Sequence, residues 1–178
     1  MQEYTCSPHL DFYIDEKIRE PDFEMGSFHI HHKYELYYQV AGSRRYFIED
    51  AAYVVNAGNL VLIGENQIHK TGPLGDGPTT RVVCNFSQVY LKEISEAFPQ
   101  LDFFSFLDDG QTHLLTTLSV KQQNQVYTML KKMLSIQGDS PRSQAARKLQ
   151  LATLLLQLQD LCEAQRMLFA GIYFPEFR

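Results

Sequence analysis

The densest chemistry in this sequence lies in His29-Ile30-His31-His32-Lys33-Tyr34-Glu35. On a strand, residues two apart project to one face about 7 Å apart along the backbone, so His29 and His31 point the same way. Imidazoles at that separation can converge on one ion or one ligand. Glu35 can enter the same space from the next strand, with Tyr37 and Gln39 on its face and Leu36, Tyr38 and Val40 on the other. A second block, Gly58 and then Gly64-Glu65-Asn66-Gln67-Ile68-His69, puts His69 after a tight turn. In a closed barrel it faces the same interior as His29 and His31. His32 alternates away from its neighbours and reads as a surface residue. Further along, Arg45, Phe47 and Glu49 share one face and Arg44, Tyr46 and Ile48 the other. Which face is interior stays open at this level, and the same holds for Arg81 and Asn85. An arginine that points inward can bind a carboxylate or a sugar hydroxyl; Arg45 is the candidate carried forward.

Holding these groups together requires a rolled sheet. Short runs of β-branched and aromatic residues predict strands near 28–31, 34–40, 44–49, 52–55, 60–63, 67–71 and 80–87. Gly, Asn and Asp punctuate them, as expected for an antiparallel barrel or sandwich. Residues 1–25 carry little periodicity, and 72–78 is a loop of Gly and Pro. After Ser87 the texture is helical. Val89–Phe98 fits a helix closed by Pro99. Ser119-Val120-Lys121-Gln122 is a capping box opening a helix with Val126, Leu130, Met133 and Leu134 on its buried face, ended by Gly138. Ser140-Pro141 starts a third helix that runs to about Phe169. Its stripe of Leu151, Leu154, Leu155, Leu158, Leu161 and Cys162 is widened by Leu149, Leu156, Met167 and Leu168. Packing on the chain's own barrel accounts for part of it. The extra width predicts a second helix as well, and hence a homodimer, the commonest closed oligomer.

The first block resembles the first cupin motif: His29-x-His31, three residues, Glu35, six residues, Gly42 matches it, although Gly26 lies closer to His29 than in the family pattern. The second block resembles the second motif at Gly58 and His69, with Gly64, Asn66 and Pro73 departing from it. Gly and Asn keep the turn chemistry, since both tolerate positive φ. The resemblance implies that His29, His31, Glu35 and His69 stand at metal-binding positions, suited to zinc, nickel or iron. Alternatively, these residues with Tyr37 and Arg45 bind a ligand directly and need no metal. A narrower resemblance, over "HIHHKYELYYQVAG", "YVVNAGNLVLIGENQIH" and "VVCNFS", is to the N-terminal effector-binding domain of AraC-type transcription regulators. It implies a cupin barrel over residues 1–100, with an N-terminal arm at 1–25 carrying Tyr4, Phe12 and Tyr13, then a helical dimerisation segment at 101–178. It also implies a C-terminal module of two helix-turn-helix units, for which the eight residues after Ala170 leave no room. The expectation is an excised effector domain; a free-standing cupin is the rival.

The fold class expected is therefore mainly β, a jelly-roll-like antiparallel cupin barrel followed by α-helices. A net charge of -5 and no run of Lys or Arg longer than two residues argue against these residues contacting DNA or an anionic membrane. The three cysteines have no metal-finger spacing, and free thiols fit a cytoplasmic protein. No secretory signal or spanning segment is evident. The expected function is sensing of a small polar effector, a sugar or related metabolite, without catalysis. DNA would be reached only through the missing module. The rival is a metal-dependent cupin dioxygenase or isomerase using His29, His31, Glu35 and His69.

Overall fold

Tyr34 to Ala41 sends alternate side chains to opposite faces. In the computed structural model, which describes residues 11–108 and 113–169, this segment is strand β2 (Tyr34–Ala41) at the centre of a five-stranded antiparallel sheet. Its neighbours are β5 (Leu60–Ile63) and β7 (Thr79–Phe86); β1 (Phe12–Arg19) lies beyond β7 and β8 (His113–Leu115) beyond β5. A three-stranded sheet, with β3 (Ser43–Ile48) between β4 (Ala51–Asn56) and β6 (His69–Pro73), faces it. Tyr37, Val61, Ile63 and Val83 of the larger sheet pack with Tyr46, Ile48 and Val55 of the smaller one. This is the cupin-like barrel the sequence predicts.

The other face of the larger sheet is also covered. Leu36, Tyr38, Leu60, Leu62, Val82, Cys84 and Phe86 share one core with the helices. These are α1 (Gln88–Ala97), α2 (Phe103–Leu107), α3 (Val120–Ser135) and α4 (Pro141–Phe169). The capping box of Ser119 and Gln122 forms as expected, and the Ser140 hydroxyl accepts the Ser143 N–H at 3.1 Å. Leu151, Leu154, Leu155, Leu158 and Cys162 of α4 are buried in the core that the chain's own helices and larger sheet share. Each of these leucines contributes about 1.5–3 kcal/mol of burial. Leu149, Met167 and Leu168, which widen the stripe, are exposed.

Residues 28–31 do not form the expected strand. They make a single antiparallel bridge, His29 with His69, closed by two N–H···O bonds of 3.0 Å. Ile30 alone is β-branched in that stretch and its side chain is exposed, so no apolar face extends the pairing. Conversely, Phe12–Arg19, expected in the N-terminal arm, pairs along its whole length with β7. Its inward positions are Tyr13, Asp15, Lys17 and Arg19, polar side chains that hide the strand period. Phe12 stacks on Tyr90 of α1 with ring centroids 4.8 Å apart. Tyr4, at the start of the expected arm, and Cys6 lie outside the described residues; Cys84 and Cys162 are buried.

Two turns fix how the sheets meet. Gly42, at φ +74°, links β2 to β3, and a Cβ there would approach Thr79 Cγ2 to 2.8 Å. Asn66, at φ +63°, makes the left-handed turn before β6.

Candidate functional site

The bridge to β6 brings three imidazoles together. Ring centroids of His29 and His69 are 4.4 Å apart, of His31 and His69 5.0 Å, and of His29 and His31 6.2 Å. Glu35, at the start of β2, is buried beside them. Its Oε2 lies 3.5 Å from His31 Nε2 and 3.7 Å from His69 Nε2, ion-pair distances longer than an ordinary hydrogen bond. Its Oε1 accepts the Tyr46 hydroxyl at 2.6 Å, and its Oε2 accepts Asn85 Nδ2 at 3.0 Å.

The histidine tautomers follow from their partners. His31 Nδ1 sits 2.9 Å from the Lys33 carbonyl oxygen and His69 Nδ1 2.8 Å from that of Gln67. A carbonyl only accepts, so both Nδ1 atoms carry the hydrogen. Both Nε2 atoms are buried without a hydrogen-bond partner and face the Glu35 carboxylate. Bare lone pairs opposed to an anion demand a positive charge between them, a proton or a metal ion. Burial pushes the Glu35 carboxyl up, yet the two facing imidazoles outweigh it and hold it well below the usual carboxylate range. For His69, burial favours the neutral ring, and Glu35 reverses that to a net rise. His29 moves the other way: burial, with His69 beside it, lowers its pKa.

His31, Glu35 and His69 offer ligand atoms all within 4.8 Å of one another. The backbone hydrogen bonds that orient both rings are those a metal-binding imidazole needs, so this donor set fits a divalent transition ion. His29, the fourth expected member, flanks the set without joining it.

Beside the apolar cluster of Val55, Val61, Ile63 and Val83, the interior carries further polar and basic groups. Opposite β2 residues Glu35, Tyr37 and Gln39, strand β7 places Asn85, Val83 and Arg81 in register. The Tyr37 hydroxyl donates to Gln39 Oε1 at 2.7 Å. Arg81 forms an ion pair with Asp15, which also takes Lys17 at 2.8 Å and the Tyr13 hydroxyl at 2.9 Å. Arg44 is 2% exposed and donates to the Phe23 carbonyl oxygen at 2.6 Å. The Phe23 ring lies 4.2 Å from the Arg19 guanidinium and 5.5 Å from that of Arg44, closing this end of the barrel.

Arg45, carried forward from the sequence as a ligand-binding candidate, is exposed on the outer face of β3; the inward arginine is Arg44. The outer face of β3 bears Arg45 with Glu49 beyond it, two charges with solvent to hydrate them. The inner face pairs a single charge with Tyr46 and Ile48, a difference that distinguishes the two faces. His32 is exposed, as expected. Tyr46, Asn85 and Asp15 were not among the expected site residues. Only strand parity points to the first two, and Asp15 sits in a segment without apolar alternation. A separate shallow groove of about 660 Å³ lies far from this chemistry, on the solvent side of α3 around Lys121, Asn124, Gln125 and Gln157.

A family profile described as the AraC-like ligand binding domain matches residues 16–159. The chain belongs to this family. The match covers this AraC-like domain from β1 into α4, the barrel and its helices alike. Among solved structures it is similar to ToxT from Vibrio cholerae, with a TM-score of 0.57 and 9% identity, covering 88% of this chain and 57% of that one. The AraC-like domain thus spans little more than half the length of ToxT. A ToxT structure from strain SCE256 with an unsaturated fatty acid bound matches over 46% of this chain and 31% of that one, at TM-score 0.39 and 15% identity. A Cupin 2 conserved barrel domain protein from Salinispora arenicola matches over 55% of this chain and 79% of that one, at TM-score 0.42 and 18% identity. No curated protein matches this chain.

Proposed function

We propose that this domain senses a small polar molecule, a sugar or related metabolite, inside the barrel of an AraC-type transcription regulator. The observation that carries the reading is the buried polar lining of a family built to bind ligands: Glu35, Gln39, Arg44, His69, Arg81 and Asn85 are all buried. A barrel interior with no task beyond stability fills with Val, Ile and Leu, because every buried polar group needs a partner to offset its desolvation. The same lining argues against a lipid such as the unsaturated fatty acid bound in ToxT. The regulator would work in the cytoplasm, and no described helix is long and apolar enough to cross a membrane. It would pair through its helices, α4 offering Leu149, Met167, Leu168 and Phe169 exposed to a second copy. DNA would be contacted by a separate module, and coupling of about 1–3 kcal/mol between sites is the usual scale.

A thermal-shift series over neutral sugars, sugar alcohols and sugar acids tests the reading. An effector at a hundred times its Kd stabilises the fold by about 2.7 kcal/mol. No shift from any of them with the fold intact would remove it.

The buried Nε2 atoms of His31 and His69 favour a second reading. A divalent ion held by His31, His69 and Glu35 would supply Lewis-acid chemistry, as a free-standing cupin enzyme requires. Stoichiometric zinc, nickel or iron that is lost in His31→Ala supports this; a protein that takes up none of the three eliminates it.

A further inference from the structure

We propose that the effector is a hydroxylated carboxylate, its acid group bound by Arg44 and Arg81 at the end of the barrel that Phe23 closes. This rests on the effector reading above and narrows its ligand class. Among the described residues the inward strand positions carry Arg44 and Arg81 and two carboxylates, Asp15 and Glu35, while Glu24, whose charge also reaches Arg44, is ion-paired with Lys70 at 2.7 Å. Asp15 is shared between Arg81 and Lys17, and Glu35 is committed to the histidines at the opposite end. Arg44 is 2% exposed and, among the described residues, has no carboxylate within ion-pair distance. Its hydrogen bond goes to the neutral Phe23 carbonyl, and its guanidinium lies 5.5 Å from the Phe23 ring. A carbonyl dipole and a π face are partial substitutes for an anion. A guanidinium has five N–H donors in a planar fork that matches a carboxylate.

The rest of the lining suits the body of such a molecule. Between the arginines and the histidines lie the Tyr37 hydroxyl, the Gln39 amide and the Tyr46 hydroxyl, which donate to Gln39, to the Ala41 carbonyl oxygen and to Glu35 in turn; the two phenol oxygens keep lone pairs that can accept from a chain or ring of hydroxyls. Val55, Val61 and Val83 supply the apolar wall beside them. The charge distribution therefore reads along the barrel as carboxylate end, hydroxyl body, histidine end.

Two measurements on the purified domain test this. The first is the melting temperature of ligand-free Arg44→Met: a buried cation kept for a ligand destabilises the empty site, so the variant melts at or above wild type. A fall of several degrees would assign Arg44 to structure and overturn the proposal. The second compares glucuronate, galacturonate, gluconate and acetate with glucose, galactose and inorganic phosphate, each at matched ionic strength. The expected result is a rise of about 2–4 °C with at least one carboxylate, absent in Arg44→Met. Neutral sugars that stabilise both proteins equally overturn the carboxylate and leave the effector reading standing. A shift with phosphate but no carboxylate overturns the assignment of the acid group. No shift with any compound overturns both readings.

Discussion

Tyr46 of β3 donates its hydroxyl to Glu35 of β2 at 2.6 Å, a hydrogen bond that joins the two sheets at a buried carboxylate. Tyr46→Phe removes the donor and leaves Glu35 Oε1 without it. The expected loss is about 1.5–3 kcal/mol, read as a lower urea midpoint at unchanged slope. An unchanged midpoint would mean that this bond contributes nothing to holding the sheets together.

Asp15 gives a pH signature. Burial pushes its carboxyl up, but the charge of Arg81 outweighs this and holds the pKa below its ordinary value of 3.8. The folded pKa is the lower of the two. The stabilisation is therefore complete above the unfolded value and is lost as pH falls through the folded one. Asp15→Asn should cost about 2 kcal/mol at pH 7. The gap to wild type should close in denaturation curves taken well below pH 3.8. A gap of constant size across that range would show that the carboxylate charge is not its source.

Gly58 combines a conformational and a steric demand. Its φ is +85°, and a Cβ would collide with the Gln123 side chain of α3. Gly58→Ala should lose about 1–3 kcal/mol. Adding Gln123→Ala should restore the part due to collision and leave the part due to φ. Thermal denaturation of the two single variants and the double variant separates them.

Leucines of α4 divide by what covers them. Leu155 is fully buried, so Leu155→Ala should cost about 2–5 kcal/mol. Leu149 is 60% exposed, so Leu149→Ala should change the monomer's stability by less than about 0.5 kcal/mol. If α4 pairs with a second copy, Leu149→Ala weakens the dimer in sedimentation equilibrium. A self-association constant equal to wild type would place the contact elsewhere.

The helices are legible in the sequence because caps and a 3.6-residue period are local signals: Ser119, Gln122, Ser140 and the buried leucines of α4 each announce themselves within one or two turns. β2 is legible for the same reason at period two. β1 is not, because Asp15, Lys17 and Arg19 fill its inward positions, and only pairing with β7, some seventy residues away, makes it a strand. The His31, Glu35 and His69 cluster is legible through motif spacing. The donors that complete it are not, since Tyr46 and Asn85 reach Glu35 from two other strands, 11 and 50 residues along the chain, and only the sheet pairing brings them there. The exchange of Arg45 for Arg44 is a one-residue parity question, which register decides.

β2 is a partition one side chain thick. Tyr37 looks into the barrel, while Tyr38, its neighbour, donates to the Gln123 carbonyl oxygen of α3 at 3.3 Å and lies along the Tyr127 ring. β1 repeats the arrangement, with Asp15 on Arg81 inside and Glu16 on Tyr127 and Lys131 of α3 outside. Whatever tilts these two strands from within is felt by α3 without any intermediary. On the effector reading, sequence drift that retunes the bound molecule travels with drift in α3, and a barrel grafted onto foreign helices would go deaf even while it still bound.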